Sequence, residues 1–487
     1  MKEARTNRHH KMGNWPVKYM IITLLVAVTA INCTQVNPPE PYGAIPSERQ
    51  LAWHQIKYHA FIHFGPNTFT DVEWGHGGES PDVFFPSELD CRQWVKVIKD
   101  AGMEGAIITA KHHDGFCLWP SEYSTHTVRQ SKWRNGKGDV LRELSEACEE
   151  FGIKFGVYVS PWDRNHPAYF TPRYNDVFKK MLEEVLTNYG DVYYVFFDGA
   201  FSVGPDGKRQ VYDWDGFTEV VRRCQPHAVI FSDGGPDVRW IGNERGYAAE
   251  TNWCTVKSGF FYPGIIGVND QLQTGHEDGD LWIPSEVNTS IRPGWFYHKK
   301  EDNKVKSLSQ LIDNWYHSVG MNSNFLLNLP PDRRGLIHKN DIIRLMEFKK
   351  YLDEAFAYDL AMDASIKATN TRGKGFSAKR AIDNKPETYW ATDDGVLEAS
   401  VEINFGKGVE INAVLLQEYV PLGQRIQSFA IDAHIEDTFD RVAQGVTVGN
   451  RRIVKFETVN TRRLRINLDA KACPLVANIE VYRVPDL

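Results

Sequence analysis

From residue 56 onward the chain switches repeatedly between short apolar runs and stretches whose apolar residues recur every three to four positions. The runs at 58–63, 105–110, 154–159, 192–197, 228–232 and 324–327 predict strands. The periodic stretches at 91–101, 139–151, 172–189, 214–224, 307–319 and 340–356 predict amphipathic helices between them. Parallel strands need helical crossovers, so repeated β-then-α units predict a parallel sheet. Their spread over about 300 residues favours a closed (β/α)8-like barrel over an open doubly wound sheet. No GxGxxG follows a strand, which argues against a dinucleotide site. The stretch 233–292 is glycine-rich and poorly periodic, so the barrel should be partly irregular there. After Phe356 the pattern changes to short alternating runs at 366–369, 399–405, 411–418, 428–434, 452–456, 463–468 and 479–484, split by Gly, Asn and Asp turns. That spacing predicts an all-β sandwich. The barrel is placed at 47–358 and the sandwich at 359–487.

The N-terminus carries a different pattern. Residues 1–18 hold five basic side chains against one acid, Glu3, and the apolar run 19–31 follows. The run is too short to span ~30 Å of hydrocarbon but fits the core of a secretory signal. Cys33 directly after it resembles a bacterial lipoprotein box, with Asn32 bulkier than the usual small residue. Residues 1–32 are therefore read as a signal peptide and 33–46, rich in proline, as a tether. The expectation is an exported protein of the bacterial periplasm, outer membrane or cell surface, with a possible lipid anchor through Cys33. Six further cysteines, Cys91, Cys117, Cys148, Cys224, Cys254 and Cys473, show no metal-knuckle or redox-pair spacing, and no disulfide is expected.

Composition narrows the classes. Hydrophobic residues at 42 % and charged residues at 24 % exclude disorder, collagen and a polytopic membrane protein. A net charge of −7 with no basic block argues against a nucleic-acid partner. The 14 Trp, 20 Tyr and 26 Phe suit either a large aromatic core or stacking on the apolar faces of sugars.

In a parallel barrel the active site lies at the C-terminal rim of the strands, so polar residues closing an apolar run are the ones to weigh. Four candidate strands end this way: at His63, at His112-His113-Asp114, at Trp162-Asp163 and at Asp198. Asp198, with three apolar residues before it and Gly199-Ala200 after it, reads as a nucleophile or metal ligand at an open strand tip. Cleaving a glycoside with retention needs two carboxyl groups roughly 5–5.5 Å apart. Glu244, Glu250 and Glu286 are candidates for the second, and spacing does not choose among them. His112 and His113 enter one site only if the strand ends or kinks there, since strand neighbours point to opposite faces. His63, His112 and Asp198 as ligands of a barrel metallohydrolase are the chemical rival; the His-x-His pattern common at such sites is missing, and no metal is expected.

The stretches Ala60-Phe-Ile-His-Phe-Gly65, Lys111-His-His-Asp-Gly-Phe116, Val195-Phe-Phe-Asp-Gly199 and Arg292-Pro-Gly-Trp295 resemble α-L-fucosidases of glycoside hydrolase family 29. The resemblance implies a retaining exo-α-L-fucosidase that needs no cofactor and acts on fucosylated oligosaccharides or glycoconjugates. It implies Asp198 as nucleophile, His63, His112 and His113 as partners of fucose hydroxyls, and Trp295 in the sugar pocket. The segment 235–244 is similar to the α-1,3/1,4-selective branch, which implies Glu244 as acid/base ahead of Glu286 and Glu250. Phe116, Trp119, Trp162 and Trp295 are candidates for an apolar wall against the fucose methyl group. Segment 360–487 resembles a galactose-binding-like domain of the coagulation factor 5/8 type C kind, on the pieces 381–391, 403–406 and 479–482. There Gln417, Glu418 and Arg425 are weighed as sugar contacts. A non-catalytic glycan-binding lipoprotein on the same scaffold is the rival from another class.

Overall fold

The computed structural model describes residues 36–204 and 207–486. The signal-peptide expectation and Cys33 lie outside them. Eight parallel strands close into a barrel: β1 (Tyr58–Ile62), β2 (Gly105–Lys111), β3 (Lys154–Val159), β4 (Tyr194–Phe196), β5 (Val229–Ser232), β6 (Val238–Trp240), β7 (Ser285–Ser290) and β8 (Asn324–Asn328), paired in chain order around the ring. Helix α1 (Glu48–Gln55) precedes β1. The crossovers use α2 (Cys91–Asp100), α3 (Val140–Phe151), α4 (Arg173–Asn188), α5 (Trp214–Cys224) and α6 (Leu308–Tyr316), and α7 (Lys339–Ala355) closes the ring. Three helix starts are fixed by an aspartate: Asp90, Asp139 and Asp213 each accept the backbone N–H three residues on, which satisfies an otherwise orphaned donor.

The irregular part falls where the sequence places it. No helix crosses between β5 and β6, and the excursion from β6 to β7 holds only the short helix Asn269–Thr274 and a two-stranded pair, Thr255–Val256 with Leu281–Trp282.

Inward-facing side chains stack in layers, as in a packed barrel. Phe61, Ile107, Tyr158, Tyr194, Phe196, Val229, Phe231, Val238 and Leu326 fill the interior. Below them Glu286 is fully buried, accepts from the Tyr194 hydroxyl and pairs with His59 Nε2 at 2.8 Å. This packing fills the barrel interior below its upper rim.

The C-terminal sheet is antiparallel, in the spatial order Trp390–Ala391, Leu475–Tyr482, Glu398–Glu418, Arg452–Ala470, Ile426–Ile435, Thr438–Val446, with Ser365–Ala368 beside Glu398–Glu418. Two strands run through both layers. Glu398–Glu418 pairs with Arg452–Ala470 along its whole length, with register shifts between Asn404 and Val409 and between Ile411 and Ala413. Such bulges bend a strand, so one ladder serves two packed sheets. The buried Trp390, Val401, Ile403, Val414, Phe429 and Ile466 lie between them.

Glu418 and Arg425 belong to this packing and not to a sugar site. Both Glu418 oxygens accept backbone N–H groups, from Arg425, Ile426 and Gly449. The Arg425 guanidinium is spent on the carbonyls of Glu40, Leu422 and Cys473. Gln417 is half-buried and donates to the Asn450 carbonyl. The adjoining loop contacts the barrel: Gln424 accepts from Cys254 N and donates to the Asn252 carbonyl. The cysteines among the described residues are all free.

Candidate active site

Four strand tips converge at the upper rim. His63 follows β1, and its Nδ1 lies 2.8 Å from Asn328 Oδ1. The Asn328 amide donates to Ser290 Oγ and to the Trp295 carbonyl, which leaves its oxygen free to accept. His63 therefore carries its proton on Nδ1 and offers Nε2 as an acceptor.

Strand β2 ends at Lys111, with a register shift between Thr109 and Lys111, and the chain turns there. This break is the condition under which both following histidines can enter one site, and their rings lie 4.1 Å apart, centre to centre. His112 stacks on Tyr158 and packs against His63. His113 Nδ1 is 2.8 Å from Ser160 Oγ, whose hydroxyl is directed at the Trp162 carbonyl. That leaves His113 Nε2 as an acceptor, 3.8 Å from Asp198 Oδ2. Gly115 makes the turn possible: its φ is +83°, and a Cβ there would lie 2.3 Å from Asp163 Oδ1. Burial is the first cause that drives all three histidines toward the neutral form, His63 to about 3, His113 to about 4 and His112 well below its ordinary value.

Asp198 stands two residues beyond β4 with its side chain 30 % exposed. Tyr158 OH donates to Oδ2 at 3.0 Å and Ala200 N to Oδ1 at 2.7 Å. Both partners are donors, the pattern of a carboxylate. No arginine or lysine pairs with it among the described residues.

Glu244 lies at the mouth, in the loop after β6, and accepts from Trp295 Nε1 at 3.1 Å. Glu244 is exposed at the surface, yet the residues packed around its carboxyl raise it above the ordinary glutamate value, the Trp295 N–H opposes this, and the charges of Asp198 and Glu73 add to it. The other two glutamates are elsewhere. Glu286 sits four residues short of the β7 tip, about 13 Å at ~3.3 Å per residue, and serves the barrel core. Glu250 faces the sandwich, with its carbonyl accepting from Arg452 at 2.8 Å and its carboxylate 3.5 Å from the same guanidinium.

The aromatic candidates divide. Trp162 tilts against His113 at 4.7 Å and Trp295 against His63 at 5.1 Å. Phe116 and Trp119 are core residues, the first packed on Phe84 and the second donating to Glu184. The Trp295 loop is anchored by Arg292, which is 1 % exposed and bonds Asp341 through Nε and Asp302 through Nη1.

Several residues that sequence patterning passed over also belong here. Trp74, 58 % exposed, sets its edge against His113 and Trp162. Its neighbour Glu73 accepts the N–H groups of Trp295 and Phe296 and contacts His298 Nε2 at 2.6 Å. Phe296 packs on His63 and His112. Asp233, one residue beyond β5, accepts Gly264 N at 2.7 Å, and burial together with the Asp198 charge pushes its carboxyl up to about 7. Asp233 closes the run Val229-Ile-Phe-Ser as Asp198 closes its own, so the same rule would have found it. Glu73 and Trp74 lie in an irregular loop with no periodic signal.

An open barrel rim bearing two carboxyl groups, neutral histidine acceptors and aromatic walls has the chemistry of a glycoside hydrolase. The family comparison agrees: the Alpha-L-fucosidase model matches residues 42–355 and the F5/8 type C domain model residues 365–479. Alpha-L-fucosidase 1 of Arabidopsis thaliana is 41 % identical over 457 residues, covering 91 % of this chain and 88 % of its own. A solved glycoside hydrolase 29 family member from an unknown rumen bacterium is 42 % identical with a TM-score of 0.81, covering 92 % of this chain and 79 % of its own. A Ruminococcus gnavus GH29 fucosidase in complex with fucose is 31 % identical with a TM-score of 0.84, covering 93 % and 98 %. The chain belongs to the α-L-fucosidase family, glycoside hydrolase family 29, and is an α-L-fucosidase.

Proposed function

We propose that the protein is a retaining exo-α-L-fucosidase releasing terminal α-1,3- or α-1,4-linked fucose from oligosaccharides or glycoconjugates. Asp198 attacks the anomeric carbon while Glu244 gives its proton to the departing glycosidic oxygen, so the C1–O bond to the leaving sugar breaks as the C1–O bond to Asp198 forms. Glu244, now a carboxylate, takes a proton from water, which displaces Asp198 and restores the original configuration. One observation carries this reading: of the three candidate glutamates, Glu244 is the one at the barrel mouth, bonded to Trp295, which packs on His63, and its surroundings and the Asp198 charge raise its carboxyl in the direction a general acid needs.

The remaining residues bind. His63 and His113 each offer a ring nitrogen as acceptor, and His112 packs between them and Tyr158. Trp162 and Trp295 supply flat apolar surface. What supports the linkage preference is the likeness of 235–244 to the α-1,3/1,4-selective branch. What supports export and lipidation is the basic and apolar pattern of 1–31 followed by Cys33. The test is a panel of 2-, 3- and 4-linked fucosyl oligosaccharides followed by NMR: the α anomer of fucose should appear first, from the 3- and 4-linked members. Release of the β anomer would exclude double displacement, and preference for 2-linked substrates would exclude the assigned branch.

The histidine environments give a pH prediction. With folded-state values of about 3 for His63 and about 4 for His113, both stay neutral well below the ordinary histidine value near 6.5. Fucose inhibition constants should therefore be flat between pH 7 and about 5. Between pH 6.5 and about 4 the unfolded chain binds these protons and the folded one does not, so the histidines' own share of the stability is lost as pH drops through that window, opposed by carboxyls such as Asp233 whose raised values make the folded chain take up a proton first. A binding curve breaking near pH 6.5 would contradict the neutral assignment.

A further inference from the structure

Asp233 takes the inward position two residues above Phe231 on β5, as Asp198 does two residues above Phe196 on β4. Phe196 and Phe231 are register partners, so the two carboxyl groups crown adjacent strands at one height. Residues 197–202 have no regular structure, and no strand ladder fixes the orientation of Asp198. Packing does so instead. A Cβ on Gly199 would lie 1.8 Å from Asp233 Oδ2 and 2.4 Å from Gly264 N, and Asp233 Oδ2 accepts that same N–H at 2.7 Å. The bare α-carbon of Gly199 is thus wedged between the Asp233 carboxyl and the backbone of the segment 257–268. A Cβ on Gly264 would in turn approach Gly199 O to 3.1 Å, at a φ of +81°. On the other side, Ala200 N is bonded to Asp198 Oδ1, so the tilt of the 198–200 backbone aims the carboxylate.

We propose that Asp233 is a positioning residue, which by gripping Gly264 N–H pins the 257–268 segment against Gly199 and sets the angle at which Asp198 meets the anomeric carbon. This rests on Asp198 being the nucleophile. Displacement requires near-attack geometry, and a misplacement of ~1 Å costs on the order of a hundredfold in rate. Asp233 acts through Asp198 and not on the sugar, so the loss should fall on kcat and spare fucose affinity.

The test measures kcat on an activated aryl α-L-fucoside and the inhibition constant of fucose for Asp233→Ala, Asp233→Asn and Asp198→Ala. Asp233→Ala should lose roughly 30- to 100-fold in kcat with fucose inhibition within about threefold of the parent. Asp233→Asn keeps an oxygen acceptor for Gly264 N–H and should return to within about fivefold. A parental kcat in Asp233→Ala, an Asn variant as slow as the Ala variant, or an inhibition constant rising in step with the loss would each overturn the proposal. Should Asp233→Ala fail to fold, Gly199→Ala attacks the same wedge from the opposite side: lost kcat with retained fucose inhibition supports the proposal, and parental kcat overturns it. An active Asp198→Ala would refute the nucleophile reading itself. An inactive Asp198→Ala beside a parental Asp233→Ala would refute only the role of Asp233.

Discussion

Replacing Asp198 with alanine is expected to reduce turnover of every fucoside by about 10⁴-fold or more, with fucose binding retained. The size follows from the position. Asp198 is the strand-tip carboxylate held by two donors, Tyr158 OH and Ala200 N, and by no cation among the described residues, so its charge is available to the substrate. Removing it takes away the covalent step and leaves a cavity beside the anomeric carbon. Azide should fill that cavity and attack from the same face, restoring part of the rate on an activated fucoside and giving the inverted β-fucosyl azide. Histidine acceptors and tryptophan walls are untouched by the change, which is why affinity should survive. A variant with parental turnover, or azide product of retained configuration, would remove Asp198 from the chemistry.

The second large effect belongs to Glu244. Its proton is needed in proportion to the basicity of the leaving oxygen, so Glu244→Ala should slow natural glycans by about 10²- to 10⁴-fold. Aryl fucosides with acidic phenols need little protonation and should lose far less in the first step. The alkaline limb of kcat/KM should also vanish in this variant. The sign follows from the raised carboxyl: the active form is protonated, present below the raised value and lost as pH climbs through it. A loss equal across leaving groups of different basicity would show that the proton comes from another group. Glu286 is a poor substitute, since it is committed to His59 and Tyr194 in the barrel interior, and so is Glu250 at the sandwich seam.

Strands with apolar residues on both faces were legible in the sequence, because burial inside and outside a parallel barrel leaves a continuous hydrophobic run. Strand β7 was not, since Ser-Glu-Val-Asn-Thr-Ser points Glu286, Asn288 and Ser290 into the barrel and inverts the expected polarity. Strand β6, three residues long, gives no periodic signal at all. In the sandwich, the runs 399–405 and 411–418 belong to one strand, Glu398–Glu418, because bulges let the chain bend without leaving its ladder. Thr438–Val446 lacked a hydrophobic face to announce it, being largely exposed along its length. At the site, the rule that polar residues close apolar runs placed His63, His112, His113 and Asp198 at one rim. It could not choose among three glutamates, because that choice depends on depth in the barrel and on which loop faces which domain. Nor could it show that Arg425 and Glu418 hold the sandwich together, since buried and exposed charged pairs look alike in a sequence.

The account depends on a fucosyl ester at Asp198, and a mechanism-based fluorinated fucosyl donor tests it directly. The deactivated sugar slows hydrolysis of the intermediate, and peptide mass spectrometry locates the bond. The expected result is a single added fluorofucosyl group on the peptide containing Val195-Phe-Phe-Asp-Gly199, lost when the enzyme is left to turn over. Inactivation with the label on any other carboxylate, or turnover of the donor with no covalent species at any time, would contradict it.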